Sequence, residues 1–274
     1  LQGLDLPVPD LYHYDVKNGL LLLEDCGTHT LEDYLHESPE ERTHFYRRAV
    51  ELLVQMQARA TRALGPECPA YHLRFDVEKL MWEFDFMLEH YAGALCGSPL
   101  EESVLREVRA AFLPLCETLA AEELCFTHRD YHSRNLMVDG GRLVLLDFQD
   151  ARQGPCQYDL VSLLKDSYMQ RDDALCDELI DLYIRLREKE EGRETDREEF
   201  YRIFDWMSLQ RNLKAVGTFA YQSVKKNNER YQESIAPTLE YVQQTLDRRF
   251  SSSPLREALM RCVPGLDGGG IGRS

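Results

Sequence analysis

The stretch 126–150, FTHRDYHSRNLMVDGGRLVLLDFQD, constrains this chain most. Inside it His128, Asp130 and Asn135 spell H-x-D-x-x-x-x-N, and two short apolar runs follow at 136–138 and 143–146, split by Asp139-Gly140-Gly141. Asp-Gly between runs of β type signals a hairpin, because both residues tolerate positive φ. The second run is expected to deliver Asp147 at a strand end. The hairpin then carries Asn135 and Asp147 back to one place.

Phosphoryl transfer needs such a set. A carboxylate must receive or orient the proton of the attacking hydroxyl, and an amide oxygen and a second carboxylate must hold Mg²⁺ against phosphates. Asp130 is the candidate base, Asn135 and Asp147 are the candidate metal ligands, and His128 braces the loop rather than reacting. A polar loop around a hairpin accounts for any one of these residues. Their combination points to catalysis.

At 274 residues the chain has room for one large domain or two modest ones. Lys and Arg total 32 against 48 Asp and Glu, a net charge of −16, which argues against nucleic-acid or anionic-membrane partners. No apolar run approaches the length of a membrane span. The eight cysteines are scattered without a C-x-x-C pair and read as reduced thiols of a cytoplasmic protein. Cys26 and Cys125, near the proposed site, read as packing.

Taken in order, 11–15 and 20–24 flank Asn18-Gly19 and read as a β-hairpin, which needs a sheet to join. From Thr30 the pattern is helical. Ser38-Pro39-Glu40-Glu41 reads as a capping box opening a helix to about Ala60, with an apolar stripe of Phe45, Ala49, Leu53, Met56 and Ala60. Further helices are expected over 77–91, over 98–121 behind a second Ser-Pro cap, over 158–169, and over 172–187. The charged stretch 188–194 reads as a loop, and Asp196 opens a long helix to about Val216. That helix is apolar on two sides and so is expected to be central. Gln210, Arg211 and Lys214 fall on or beside one of its buried stripes, where they either line a pocket or pair with acids. Helices at 237–250 and 254–261 and a flexible tail at 265–274 complete the reading.

Three stretches carry a resemblance: LLLEDCG at 21–27, HRDYHSRNLMV through LDFQDARQGPCQYDLVSLLKD at 128–166, and FDWMSLQRNLKAVGTFA at 204–220. They resemble the aminoglycoside phosphotransferase family, and within it the bacterial kinases that phosphorylate N-acetylmuramate and N-acetylglucosamine at the anomeric hydroxyl. The last stretch is specific to that branch. The resemblance implies a protein-kinase-like α+β fold: 1–26 as the remnant of an N-lobe with its hinge, 27–264 as a helical C-lobe, and 265–274 as the tail. It implies ATP and Mg²⁺ as cofactors, adenine bound by the backbone of Leu23 and Asp25, and a small sugar as substrate, with no obligate protein partner. It assigns Asp130 as catalytic, Asn135 and Asp147 as metal ligands, Asp159 as the support of the loop, and Asp150 as facing the acceptor. The family's phosphate-covering loop, strand lysine and helix glutamate would lie before residue 1, so the chain is expected to be the C-lobe-dominated part of a complete enzyme. An aminoglycoside or other small-alcohol kinase, and a catalytically silent binding module, are the alternatives.

Overall fold

The computed structural model describes residues 1–169 and 172–266. In chain order it holds β1 (Leu11–Asp15), β2 (Leu20–Leu23), α1 (Leu31–Glu37), α2 (Arg42–Ala63), α3 (Val77–Met87), α4 (Glu102–Ala120) and β3 (Leu124–Thr127). There follow β4 (Leu136–Asp139), β5 (Arg142–Leu145), β6 (Arg152–Pro155), α5 (Gln157–Leu164), α6 (Asp173–Glu191), α7 (Arg197–Lys226), α8 (Ile235–Arg249) and α9 (Pro254–Cys262). The chain divides into two compact units, Leu1–Leu73 with Leu124–Thr195, and Arg74–Glu123 with the chain from Asp196 onward. Of the tail expected at 265–274, residues 267–274 lie outside the described residues, whereas Leu266 is buried.

In the first unit, three antiparallel strand pairs, β1–β2, β3–β6 and β4–β5, stand beside the helices. Gly19 takes φ 65° in the first turn, as the Asn-Gly signal requires. Leu20, Leu21, Leu22 and Leu23 remain exposed on that hairpin, and among the described residues no third strand joins it. In the β4–β5 hairpin Asp139 pairs with Arg142, so the positive-φ turn residues are Gly140 and Gly141 rather than Asp139-Gly140. Two glycines meet the demand for φ above zero at no steric cost, which leaves Asp139 in the ladder. The expected stripe of α2, from Phe45 to Ala60, is buried. Its Ser-Pro cap is not formed: Ser38 makes no side-chain cap bond, and Pro39–Glu41 is a separate 3₁₀ turn. A capping box forms instead at Thr30 with Asp33, opening α1.

The second unit is helical and centres on α7. As expected, α7 is buried along most of its length, packing against α3, α4 and α8. It runs on to Lys226, past the anticipated end near Val216, and Asn227 in the left-handed conformation supplies its C-cap. A Cβ at Gly217 would lie 2.6 Å from Met87 Cα. Gly217→Ala gains about 1 kcal/mol of helix propensity. The clash falls on backbone that only a helix shift relieves, an overpacking cost of about 1–3 kcal/mol. A lowered urea midpoint is therefore expected, and an unchanged or raised midpoint would show that the two helices have slack.

Other boundaries moved for local reasons. Ser98 makes no side-chain cap bond to α4, which begins at Glu102. The helix expected to end at Tyr91 stops as α-helix at Met87 and continues as a π-helical segment over Leu88–Leu95. α6 extends through the charge-dense stretch to Glu191, because Gly192 in the left-handed conformation supplies its C-cap. Among the described residues, no helix is long and apolar enough to cross a membrane.

Candidate active site

At the end of β3 the chain enters the loop 128–135, held from beneath by two buried aspartates. Asp159, in the first turn of α5, accepts the backbone N–H of His128 at 2.7 Å and that of Arg129 at 2.9 Å. Arg129 takes φ 83°, a left-handed conformation that costs a side-chain-bearing residue roughly 1–3 kcal/mol. Two hydrogen bonds to a buried carboxylate offset that strain. Asp166 holds the far end of the loop: its Oδ2 accepts the N–H and hydroxyl of Ser133 at 2.9 and 2.6 Å, and its Oδ1 accepts the N–H of Tyr168 at 3.0 Å. This role explains why α5 ends at Leu164 rather than near Met169. Lys165 leaves helical geometry, and Asp166 turns toward the loop. Sequence reasoning missed Asp166, whose partner Ser133 lies 33 residues away along the chain.

His128 is buried, and its Nε2 lies 2.9 Å from the carbonyl of Leu146, which fixes Nε2 as the protonated nitrogen. Burial pushes its pKa down to about 4, with the charge of Asp130 pulling the other way. The imidazole is therefore neutral near pH 7 and braces the loop. Because the folded value lies below that of a free histidine, the unfolded chain binds the proton more tightly. Stability is expected to fall as pH drops from about 6.5 toward 4, by up to about 3 kcal/mol. In urea unfolding at several pH values, His128→Asn is expected to lose that part of the slope. A slope unchanged in the variant would place the acid sensitivity elsewhere.

Asn135 donates its side-chain N–H to the carbonyl of Asp130 at 2.9 Å, and its own carbonyl accepts the N–H of Leu146 at 3.0 Å. The hairpin thus brings Asn135 and Asp147 to the same end. Asp147 lies just beyond β5 rather than at its last position, with φ 63°. Its Oδ1 accepts from Gln149 at 2.6 Å. Its Oδ2, like Oδ1 of Asn135, makes no hydrogen bond among the described residues. Two hard oxygens suit Mg²⁺, which takes its remaining ligands from phosphates and water. Among the described residues no three His, Cys, Asp or Glu side chains form a protein cage for a cation.

Of the other residues singled out in the sequence, Asp150 is exposed and accepts from Arg129 Nη1 at 2.6 Å. Leu23 pairs with Leu11 at the end of β2, and Asp25 Oδ1 takes the N–H of Gly27 at 3.0 Å. Gln210, Arg211 and Lys214 lie on α7, in the other unit. All eight cysteines are free. Burial raises the thiols of Cys26 and Cys125, and Cys26 packs on Met137 and Val144.

The pattern of the phosphotransferase enzyme family (APH) matches residues 1–198. An N-acetylmuramate/N-acetylglucosamine kinase of Neisseria meningitidis serogroup B is 30% identical over 262 residues, spanning 93% of this chain and 75% of that protein. A protein of the same name from Pseudomonas aeruginosa is 29% identical over 273 residues, spanning 97% of this chain and 77% of its own. Among solved structures, a choline kinase from Cryptosporidium parvum superposes with a TM-score of 0.59 at 11% identity, over 94% of this chain and 79% of that one, a likeness of fold. With the family pattern running through the loop, the hairpin and both anchoring aspartates, the chain belongs to the phosphotransferase enzyme family, as a small-molecule kinase of protein-kinase-like, mostly helical α+β fold.

Proposed function

We propose that the protein is an ATP- and Mg²⁺-dependent kinase that moves the γ-phosphate to the anomeric hydroxyl of N-acetylmuramate or N-acetylglucosamine. The observation that carries the acceptor is the likeness to kinases of that name along 93% and 97% of this chain. On this reading Asp130 accepts the proton of the attacking hydroxyl as the new oxygen–phosphorus bond forms and the bond to the leaving ADP breaks. The carbonyl of Asp130 is bonded to the Asn135 amide, so the base and the metal ligand keep one geometry. Oδ1 of Asn135 and the carboxylate of Asp147 hold Mg²⁺, which when bound neutralises charge on the transferring group.

Leu23 and Asp25 supply the hinge carbonyl and N–H for adenine. Residues 1–26 then act as the N-lobe portion and 27–264 as the helical lobe. Asp150, Gln210, Arg211 and Lys214 are the candidate acceptor contacts. Arg129 donates to Asp150 at 2.6 Å, so the Asp150 carboxylate is engaged with a side chain of the loop.

ADP release with ATP, Mg²⁺ and a panel of N-acetylmuramate, N-acetylglucosamine, choline and kanamycin tests the proposal. Turnover with either amino sugar supports it. Turnover confined to choline or kanamycin overturns the acceptor assignment.

A further inference from the structure

The two anchoring aspartates hold the loop at His128, Arg129 and Ser133. Beyond Ser133 the chain gains a different support, the first turn of α1, which belongs to the same compact unit. On the N-terminal side of Asn135, Nε and Nη2 of Arg134 both donate to the carboxylate of Glu32 in that turn, the second at 3.0 Å. On the C-terminal side, the N–H of Val138 donates to the carbonyl of His29 at 2.9 Å, and Met137 bridges Thr30, the N-cap of α1. Both flanks of Asn135 are therefore tied to residues 29–32, a segment stiffened by the capping box of Thr30 and Asp33.

Arg134 has a second contact. Its Cζ lies 3.5 Å from the centre of the Tyr168 ring, and the His132 ring meets the same ring edge-on. Tyr168 is in turn held by its N–H to Asp166. An exposed ion pair contributes little, because ordering two long side chains costs entropy. Arg134 differs from that case. Its fork makes two parallel bonds to a carboxylate only 15% exposed, and an aromatic ring lies against its guanidinium. The residue next to Asn135 is thus fixed in one geometry. Mg²⁺ tolerates little departure from octahedral coordination, so the orientation of a ligand bears directly on affinity.

We propose that Arg134, clamped between Glu32 and Tyr168, is a positioning residue that presets Asn135 for the divalent cation. The proposal rests on the reading of Asn135 as a metal ligand, and its test separates the two. Affinity for a non-hydrolysable ATP analogue is measured by isothermal titration with saturating Mg²⁺ and again with a chelator in its place. The ratio of the two dissociation constants is the gain from the metal. It is compared for the wild type, Asn135→Ala, Arg134→Met and Arg134→Lys.

Asn135→Ala is expected to lose most of the gain. Arg134→Met is expected to cut it by about tenfold, the low end for residues that support a ligand without binding the metal. Its metal-free affinity should move by less than about twofold, and Arg134→Lys, which keeps the charge without the fork, should retain part of the gain. A gain unchanged in Arg134→Met overturns the proposal. So does an equal loss with and without Mg²⁺, since a merely structural role does not depend on the cation. If Arg134→Met does not fold, Glu32→Gln weakens the same pair from the side of α1 and carries the same comparison. A loss in Asn135→Ala with none in Arg134→Met or Glu32→Gln overturns the proposal alone. A full gain in Asn135→Ala, or a wild type indifferent to Mg²⁺, overturns the metal reading and the proposal together.

Discussion

Asp130→Asn is expected to lower kcat by a factor on the order of 10²–10⁴, the range that a positioned general base contributes. The substitution keeps the size of the side chain and removes its ability to take a proton. It touches neither the Asp159 bonds to His128 and Arg129 nor the bond from Asn135 to the Asp130 carbonyl, which uses backbone. Nucleotide affinity and the urea midpoint should therefore stay close to wild type. Loss of ATP binding as large as the loss of turnover would mean that Asp130 holds the nucleotide or the loop rather than the acceptor's proton. Isothermal titration with a non-hydrolysable ATP analogue beside the rate assay separates these outcomes.

Asp159→Asn is expected to be nearly as damaging as Asp159→Ala. The carboxylate offers one oxygen to each of two backbone N–H groups, at 2.7 and 2.9 Å. An amide has a single oxygen, so its NH₂ group must face one of those donors. One N–H is left unsatisfied in a buried place, and Arg129 loses part of what holds its left-handed backbone. A hydrogen bond to a charged group contributes about 1.5–3 kcal/mol, so the expected cost is about 3 kcal/mol, with turnover falling at least as far as in Asp130→Asn. Denaturant unfolding and hydrogen exchange at the His128 and Arg129 amides measure this. If Asp159→Asn kept wild-type stability and slow exchange, the carboxylate would not be what fixes the loop.

The parts of this molecule legible in the sequence were those set by local rules. Asn-Gly and Asp-Gly-Gly marked both tight hairpins, and H-x-D-x-x-x-x-N with the following strands located the loop. Apolar period placed the buried faces of α2 and α7. What misled was punctuation whose effect depends on tertiary context. Ser38 and Ser98 resemble caps but make no cap bond, whereas Thr30 does. The expected end of α7 near Val216 fell short of Lys226, and Gly217 lies within the helix against the backbone of Met87. Asp166 and the Arg129–Asp150 pair were illegible for a related reason. Their partners lie 33 and 21 residues away along the chain, and no periodicity connects a loop serine to an aspartate beyond the next helix.

On the proposed reading this chain phosphorylates an amino sugar at its anomeric oxygen, with Asp130 as the base. Phosphorus NMR of the product formed from N-acetylmuramate, ATP and Mg²⁺ is the decisive measurement. A new phosphate resonance coupled to the anomeric proton is expected, absent when Asp130→Asn replaces the wild type. A phosphate coupled to any other sugar proton, or ADP formed with no sugar phosphate, would contradict it.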